Sequence, residues 1–133
     1  MVFYLIGLGL NEQSFSHEAE QLCKKADKVY LESYTVDFPY TIKQLEKNLK
    51  TKIIPLNREQ VESESFLADA KKQDIILLVY GDALSATTHS SIIQTCKTKK
   101  IKYKILHNAS ILTAVAETGL QLYKFGKTAS MPA

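Results

Sequence analysis

Residues 75–80, Ile-Ile-Leu-Leu-Val-Tyr, form an unbroken apolar run with no alternation of inward and outward positions. That is the pattern of a strand buried on both faces, and such a strand needs a layer of structure above it and another below. The run therefore points to helices on two sides of a mostly parallel sheet, with this segment at its centre. The rest of the chain keeps the same rhythm. Residues 2–8 are bulky and apolar and lead into Gly7-Leu8-Gly9, after which Phe15, Ala19, Leu22 and Ala26 recur at helical spacing. Val29-Tyr30-Leu31 reads as a second strand, Ile42, Leu45 and Leu49 as a helix behind a loop holding Pro39, and Ile53-Ile54 as a third strand closed by Pro55. Asn57 with Gln60 forms a capping-box pattern, predicting one helix with Val61, Phe66, Leu67 and Ala70 on its inner face. Ile92, Ile93 and Cys96 mark another helix, residues 103–106 a fifth strand, and Ile111, Leu112, Val115 and Ala116 a last helix ending at Gly119. The expectation is one α/β domain over residues 1–133: a mostly parallel five-stranded sheet with about five helices on both faces.

Composition narrows the function classes. No stretch approaches the ~20 apolar residues that span a bilayer, and the apolar start lacks a basic leader and a small-residue cleavage site, so it reads as a first strand. Cys23 and Cys96 stand far apart with no CxxC spacing, which argues against a zinc site or a disulfide framework and fits a cytoplasmic chain. The net charge of +3 is mild, but Lys97, Lys99, Lys100, Lys102 and Lys104 gather in one place. They read as a solvated helix end that complements the helix dipole, or as a face for an acidic partner.

Ligands of an open parallel sheet bind beyond the carboxyl ends of its strands. Three polar joints meet that condition: GLGLNEQS after the first strand, YGDALSATTHSS after the fourth and HNASI after the fifth. In the first, Gly7 and Gly9 begin a dinucleotide fingerprint, but its third glycine position is Glu12, an acid that would repel a pyrophosphate; a tight turn is the simpler expectation. No GxxxxGK[ST] is present, which excludes a P-loop. In the second, Asp82 can accept hydrogen bonds from a ligand hydroxyl or from nearby amides, and Thr87 or Thr88 reads as an N-cap. His89, His17 and His107 read as structural hydrogen-bonding residues, with His89 open as a base or ligand. In the third, Ser110 is an N-cap candidate. Spacing alone assembles no nucleophile, base and orienting acid.

The blocks YLIGLGL, ADKVYLESYT, GDALSATTH, HNASI and TGLQLYKFGKTASMP cover nearly the whole chain. In order and separation they resemble the diphthine synthase family, methyltransferases of diphthamide biosynthesis with a tetrapyrrole-methylase-like fold. The resemblance implies two α/β domains with S-adenosylmethionine between them, S-adenosylhomocysteine as product, and elongation factor 2 as protein substrate. On that protein a histidine bearing a 3-amino-3-carboxypropyl group is methylated, three times in archaeal members and with a further methyl ester in eukaryotic ones. It implies a cytoplasmic homodimer that touches neither membrane nor nucleic acid.

Carried onto this sequence, the family pattern implies cofactor contacts at Leu10, Asp82, Ser85, Ser110 and Ile111, with no metal and no assigned catalytic residue. The family's GDPFGATTH reads GDALSATTH here, so Ala83 and Ser85 replace a proline and a glycine. If position 85 requires positive φ, serine is strained there. Family members are about twice as long, so residues 1–133 correspond to an N-terminal domain expected to bind the cofactor weakly and to methylate poorly by itself. The alternatives are another methylase of this fold, acting on a tetrapyrrole or ribosomal RNA, and a non-catalytic binding or dimerisation module.

Overall fold

The computed structural model describes residues 1–85, 87–129 and 131. Five parallel strands form one sheet: β1 (Phe3–Gly7), β2 (Lys28–Glu32), β3 (Ile54–Leu56), β4 (Ile75–Val79) and β5 (Tyr103–Leu106), in the order β3-β2-β4-β1-β5. The 75–80 run lies at the centre, as its lack of alternation requires, and all five residues of β4 are buried. Ile75, Leu77 and Val79 enter one core layer together with Phe66, Ile92 and Cys96, while Ile76 and Leu78 enter the opposite layer with Ala19, Cys23, Leu45 and Leu49. Helices α1 (His17–Lys25) and α2 (Ile42–Leu49) thus cover one face. The other is covered by α3 (Arg58–Glu62), a 3-10 segment (Ser65–Asp69) and α4 (Ser90–Thr98).

This arrangement locates the ligand-binding end. Strand β1 feeds α1 on one face, whereas its neighbour β4 feeds α4 on the other. The carboxyl ends of β1 and β4 are therefore the point where successive connections part, leaving a crevice above the sheet. Two reciprocal hydrogen bonds tie the loops together there, Gly9 N–H to Gly81 O at 3.0 Å and Gly81 N–H to Gly9 O at 2.9 Å. Both glycines have positive φ, 73° and 75°.

Several local expectations change. Pro55 does not close β3 but lies inside it; β3 is an edge strand, where a missing N–H costs no ladder bond. The capping box at Asn57 and Gln60 is present, yet the helix it opens ends after Glu62, because Glu64 turns left-handed at φ 57° and the chain continues as the 3-10 segment carrying Phe66 and Leu67. The final helix is also short: α5 (Ile111–Ala114) passes into a 3-10 turn (Val115–Thr118) that stops at left-handed Gly119. Neither Thr87 nor Thr88 caps α4. His89 holds the N-cap position without a side-chain capping bond, and the Thr87 hydroxyl donates instead to Ala83 O at 3.1 Å. The clustered lysines are exposed, but only Lys97, in the last turn of α4, and Lys99, at its C-cap, end the helix; Lys100 and Lys102 follow it, and Lys104 lies in β5, paired to Glu18. Of the 127–133 tail, residues 127–129 and Met131 carry no strand, and Ser130, Pro132 and Ala133 lie outside the described residues, as does Ala86 of the GDALSATTH loop.

Candidate cofactor cleft

A cleft of about 280 Å³ opens above the carboxyl ends of the strands. Leu10 enters it from the β1 loop; Glu32, Thr35, Val36 and Phe38 from the β2 end; Val79, Tyr80, Gly81, Asp82, Ser85 and Thr87 from β4; and Ser110 and Ile111 from β5. All five residues singled out in the sequence, Leu10, Asp82, Ser85, Ser110 and Ile111, line this one cleft although they come from three separate loops. Its volume falls just below the ~300–1,000 Å³ typical of small-molecule pockets.

Asp82 organises the β4 side. Its Oδ1 accepts from the Asn108 amide and from His107 Nδ1, each at 2.9 Å. Its Oδ2 accepts from the Leu84 and Ser85 amides at 3.2 Å and from the Ser85 hydroxyl at 3.0 Å. Burial pushes this carboxyl up, but the Asn108 amide, His107 and the loop donors outweigh burial and hold its pKa at about 2. Ser85 is not among the positive-φ residues, so the anticipated strain is absent; its hydroxyl instead adds a donor to Asp82. Ser110 caps α5 as expected, accepting from Leu112 N at 3.1 Å. Asn108 joins the strand ends: its Nδ2 donates to Gly7 O at 3.2 Å and to Ser14 O at 3.0 Å. A Cβ at Gly9 would lie 2.5 Å from Ser14 Cβ and 2.9 Å from Asn108 Oδ1, so glycine is required there by space as well as by φ. Helix α1 begins only at His17, capped by Ser16, so no helix N-terminus follows the glycines directly as a pyrophosphate site would need.

A second acid, Glu32, was not among the sequence candidates. Its Oε1 accepts from Thr35 N at 2.9 Å and Tyr34 N at 3.4 Å, and its Oε2 lies 3.2 Å from His89 Nε2. Burial pushes Glu32 up, but its bonds from His89 and Thr35 outweigh burial and hold it below the ordinary carboxylate value. His89 is thus the structural hydrogen-bonding residue expected, with Nε2 committed to Glu32. The available signal was an acid at the carboxyl end of a strand, the logic that selected Asp82; the joint after the second strand was not counted among the polar ones. Burial pushes the thiols of Cys23 and Cys96 up, to about 12 and about 11, so neither is a thiolate near neutral pH.

The model for tetrapyrrole (corrin/porphyrin) methylases matches residues 2–131. The chain belongs to this family. Among curated methylase relatives it is 43% identical to the diphthine methyl ester synthase of Dictyostelium discoideum over 98% of this chain and 50% of that protein. It is 40% identical to the human diphthine methyl ester synthase over 98% of this chain and 47% of that one. A crystal structure of diphthine synthase superimposes with a TM-score of 0.89 at 37% identity, covering 95% of this chain and 52% of that one. A diphthine synthase structure from Entamoeba histolytica gives 0.83 at 38% identity, covering 95% and 48%. The chain spans about half the length of the curated relatives it matches.

Proposed function

We propose that residues 1–133 form the N-terminal, S-adenosylmethionine-binding half of a diphthine methyl ester synthase-type methyltransferase, whose substrate is the 3-amino-3-carboxypropyl-modified histidine of elongation factor 2. The observation that carries this is the convergence of Leu10, Asp82, Ser85, Ser110 and Ile111 on one cleft, in a chain so similar over its length to diphthine methyl ester synthases.

The residues present suit that cofactor. Leu10, Val36, Phe38, Tyr80 and Ile111 give apolar walls for a nucleoside and thioether. Two buried carboxyl groups, Asp82 and Glu32, are held in their ionised forms at the cleft, which welcomes a cation such as a sulfonium and opposes a pyrophosphate. When bound, S-adenosylmethionine supplies an already activated methyl group. The chain's own task is then to bind, orient and exclude water, and orientation alone is worth several kcal/mol. The Gly9–Gly81 bridge ties the β1 and β4 loops together, and Gly81 lines the cleft. Burial of an acceptor amine against the apolar walls favours its uncharged, nucleophilic form without a dedicated base.

Cytoplasmic location, homodimerisation and the absence of membrane or nucleic-acid partners belong to the same proposal. No helix among the described residues is long and apolar enough to cross a membrane. Ile111, Leu120, Leu122 and Tyr123 offer exposed apolar surface for a protein contact. The test is transfer of labelled methyl from S-adenosylmethionine, by an enzyme that joins this half to the second domain of its relatives, to elongation factor 2 bearing the unmethylated precursor, with a corrinoid precursor as rival substrate. Labelling of the first alone is expected; labelling of the corrinoid alone would reject the diphthine assignment.

A further inference from the structure

Glu32 and His89 lie 57 positions apart, yet they meet with side chains only 2% and 4% exposed. Each is anchored differently. His89 precedes α4, its carbonyl accepts from Ile92 N at 3.0 Å, and Ile92, Ile93 and Cys96 fix that helix in the core. Glu32 ends β2 and turns its other oxygen on the amides of Tyr34 and Thr35. The residues that follow, 33–38, form no helix or strand, yet Thr35, Val36 and Phe38 build one wall of the cleft. Among the described residues their backbone is held through Glu32 and through the Ser33 bonds to Leu56 O. The Phe38 ring adds edge contacts to Tyr40 and Tyr80 at 5.4 Å.

We propose that Glu32 and His89 are a positioning pair: His89 Nε2–H, donated to Glu32, transmits the rigidity of α4 to the 33–38 wall and thereby sets affinity for the nucleoside–thioether ligand. This rests on the cofactor assignment above. His89 is not a catalytic residue in this scheme. Its Nε2 is committed to Glu32, and its ring borders a separate polar groove beside Tyr34, Arg58, Glu62 and Thr88 rather than the cleft. A carboxylate can only accept, so the bond fixes the proton on Nε2. A buried carboxylate robbed of that donor must find another partner, and the 33–38 backbone moves with it.

The test uses the isotope-labelled 133-residue chain, read by NMR for hydrogen exchange and titrated with S-adenosylhomocysteine. His89→Ala is expected to speed exchange of the Thr35 amide beyond any change at Leu77, which reports the whole fold, and to weaken ligand affinity, each by about tenfold, the scale of one hydrogen bond to a charged group. His89→Gln, which can present an amide N–H near the same place, is expected to restore both. His89→Leu, which fills the space of the ring but presents no donor, should reproduce the His89→Ala changes even if His89→Ala does not fold. Unchanged exchange at Thr35 in His89→Leu overturns the proposal, as does a folded His89→Gln chain with no rescue. Wild-type exchange at Thr35 with no response to S-adenosylhomocysteine raised to millimolar levels, enough to register the weak binding expected of residues 1–133 alone, rejects the cofactor assignment. The link between α4 and the wall then stands or falls on the exchange pattern of the variants, and its claim on affinity fails.

Discussion

Asp82 and Glu32 are both acids at the carboxyl ends of neighbouring strands, both almost wholly buried, and both held below ordinary carboxylate values. They differ in where their donors come from. Asp82 is served by amides two and three residues ahead of it and by the β5 end, so its loop is largely satisfied by its own backbone. Glu32 relies on Tyr34 and Thr35 locally but on a single distant side chain, His89, for its other oxygen. Spreading five donors over one carboxylate makes loss gradual; committing one oxygen to one partner makes it abrupt.

The sharpest contrast is expected from Glu32→Ala, which strands His89 in the core and frees two amides. Breaking a buried pair from one side costs about 3 to 5 kcal/mol, and urea unfolding of the variant against the unsubstituted chain measures it. Gly9→Ala comes next, at about 2 to 3 kcal/mol, from a left-handed φ combined with a Cβ that would press on Asn108, the residue whose amide feeds Asp82. A milder loss would mean that the Asp82 loop yields more easily than its hydrogen bonding implies.

Asp82→Asn should cost about 2 kcal/mol near neutral pH, and its pH dependence gives the sign. The folded value of about 2 is below the ordinary 3.8, so Asp82 stabilises the fold fully above 3.8, and that stability is lost as pH falls through about 2. The variant should therefore show a shallower acid limb in unfolding experiments over that interval. Glu32 shifts in the same direction, so the limb is flattened rather than abolished. Ser85→Ala is the smallest change, about 1 kcal/mol, because it removes the hydroxyl and leaves the Ser85 amide on Asp82. A loss as large as that of Asp82→Asn would show that the hydroxyl, not the backbone, dominates this loop.

The same division between local and distant partners separates what the sequence revealed from what it concealed. The central strand was legible because burial on both faces writes itself as an unbroken apolar run, Ser110 and the Asn57 capping box because their partners lie within a few residues, and Asp82 because one of its two oxygens is served in the same way. Topology then located the cleft, and the family resemblance selected the five residues that line it. Glu32 escaped because its meaning depends on a histidine 57 residues away. The break of the helix after Glu62 escaped because Glu64 takes a left-handed turn with no glycine to announce it. The misplaced threonine cap has a similar origin, since Thr87 satisfies itself on Ala83 O.

One consequence concerns the order in which the molecule becomes competent. Strand β5 sits at the sheet edge and pairs with β1 alone, while the Asn108 amide and His107 that complete Asp82 follow directly behind it. A folding intermediate with β1 to β4 docked but β5 still loose would hold a nearly complete core around an Asp82 deprived of two donors. Such an intermediate would not yet hold the ligand, and time-resolved refolding is expected to register ligand capture only once β5 has paired with β1.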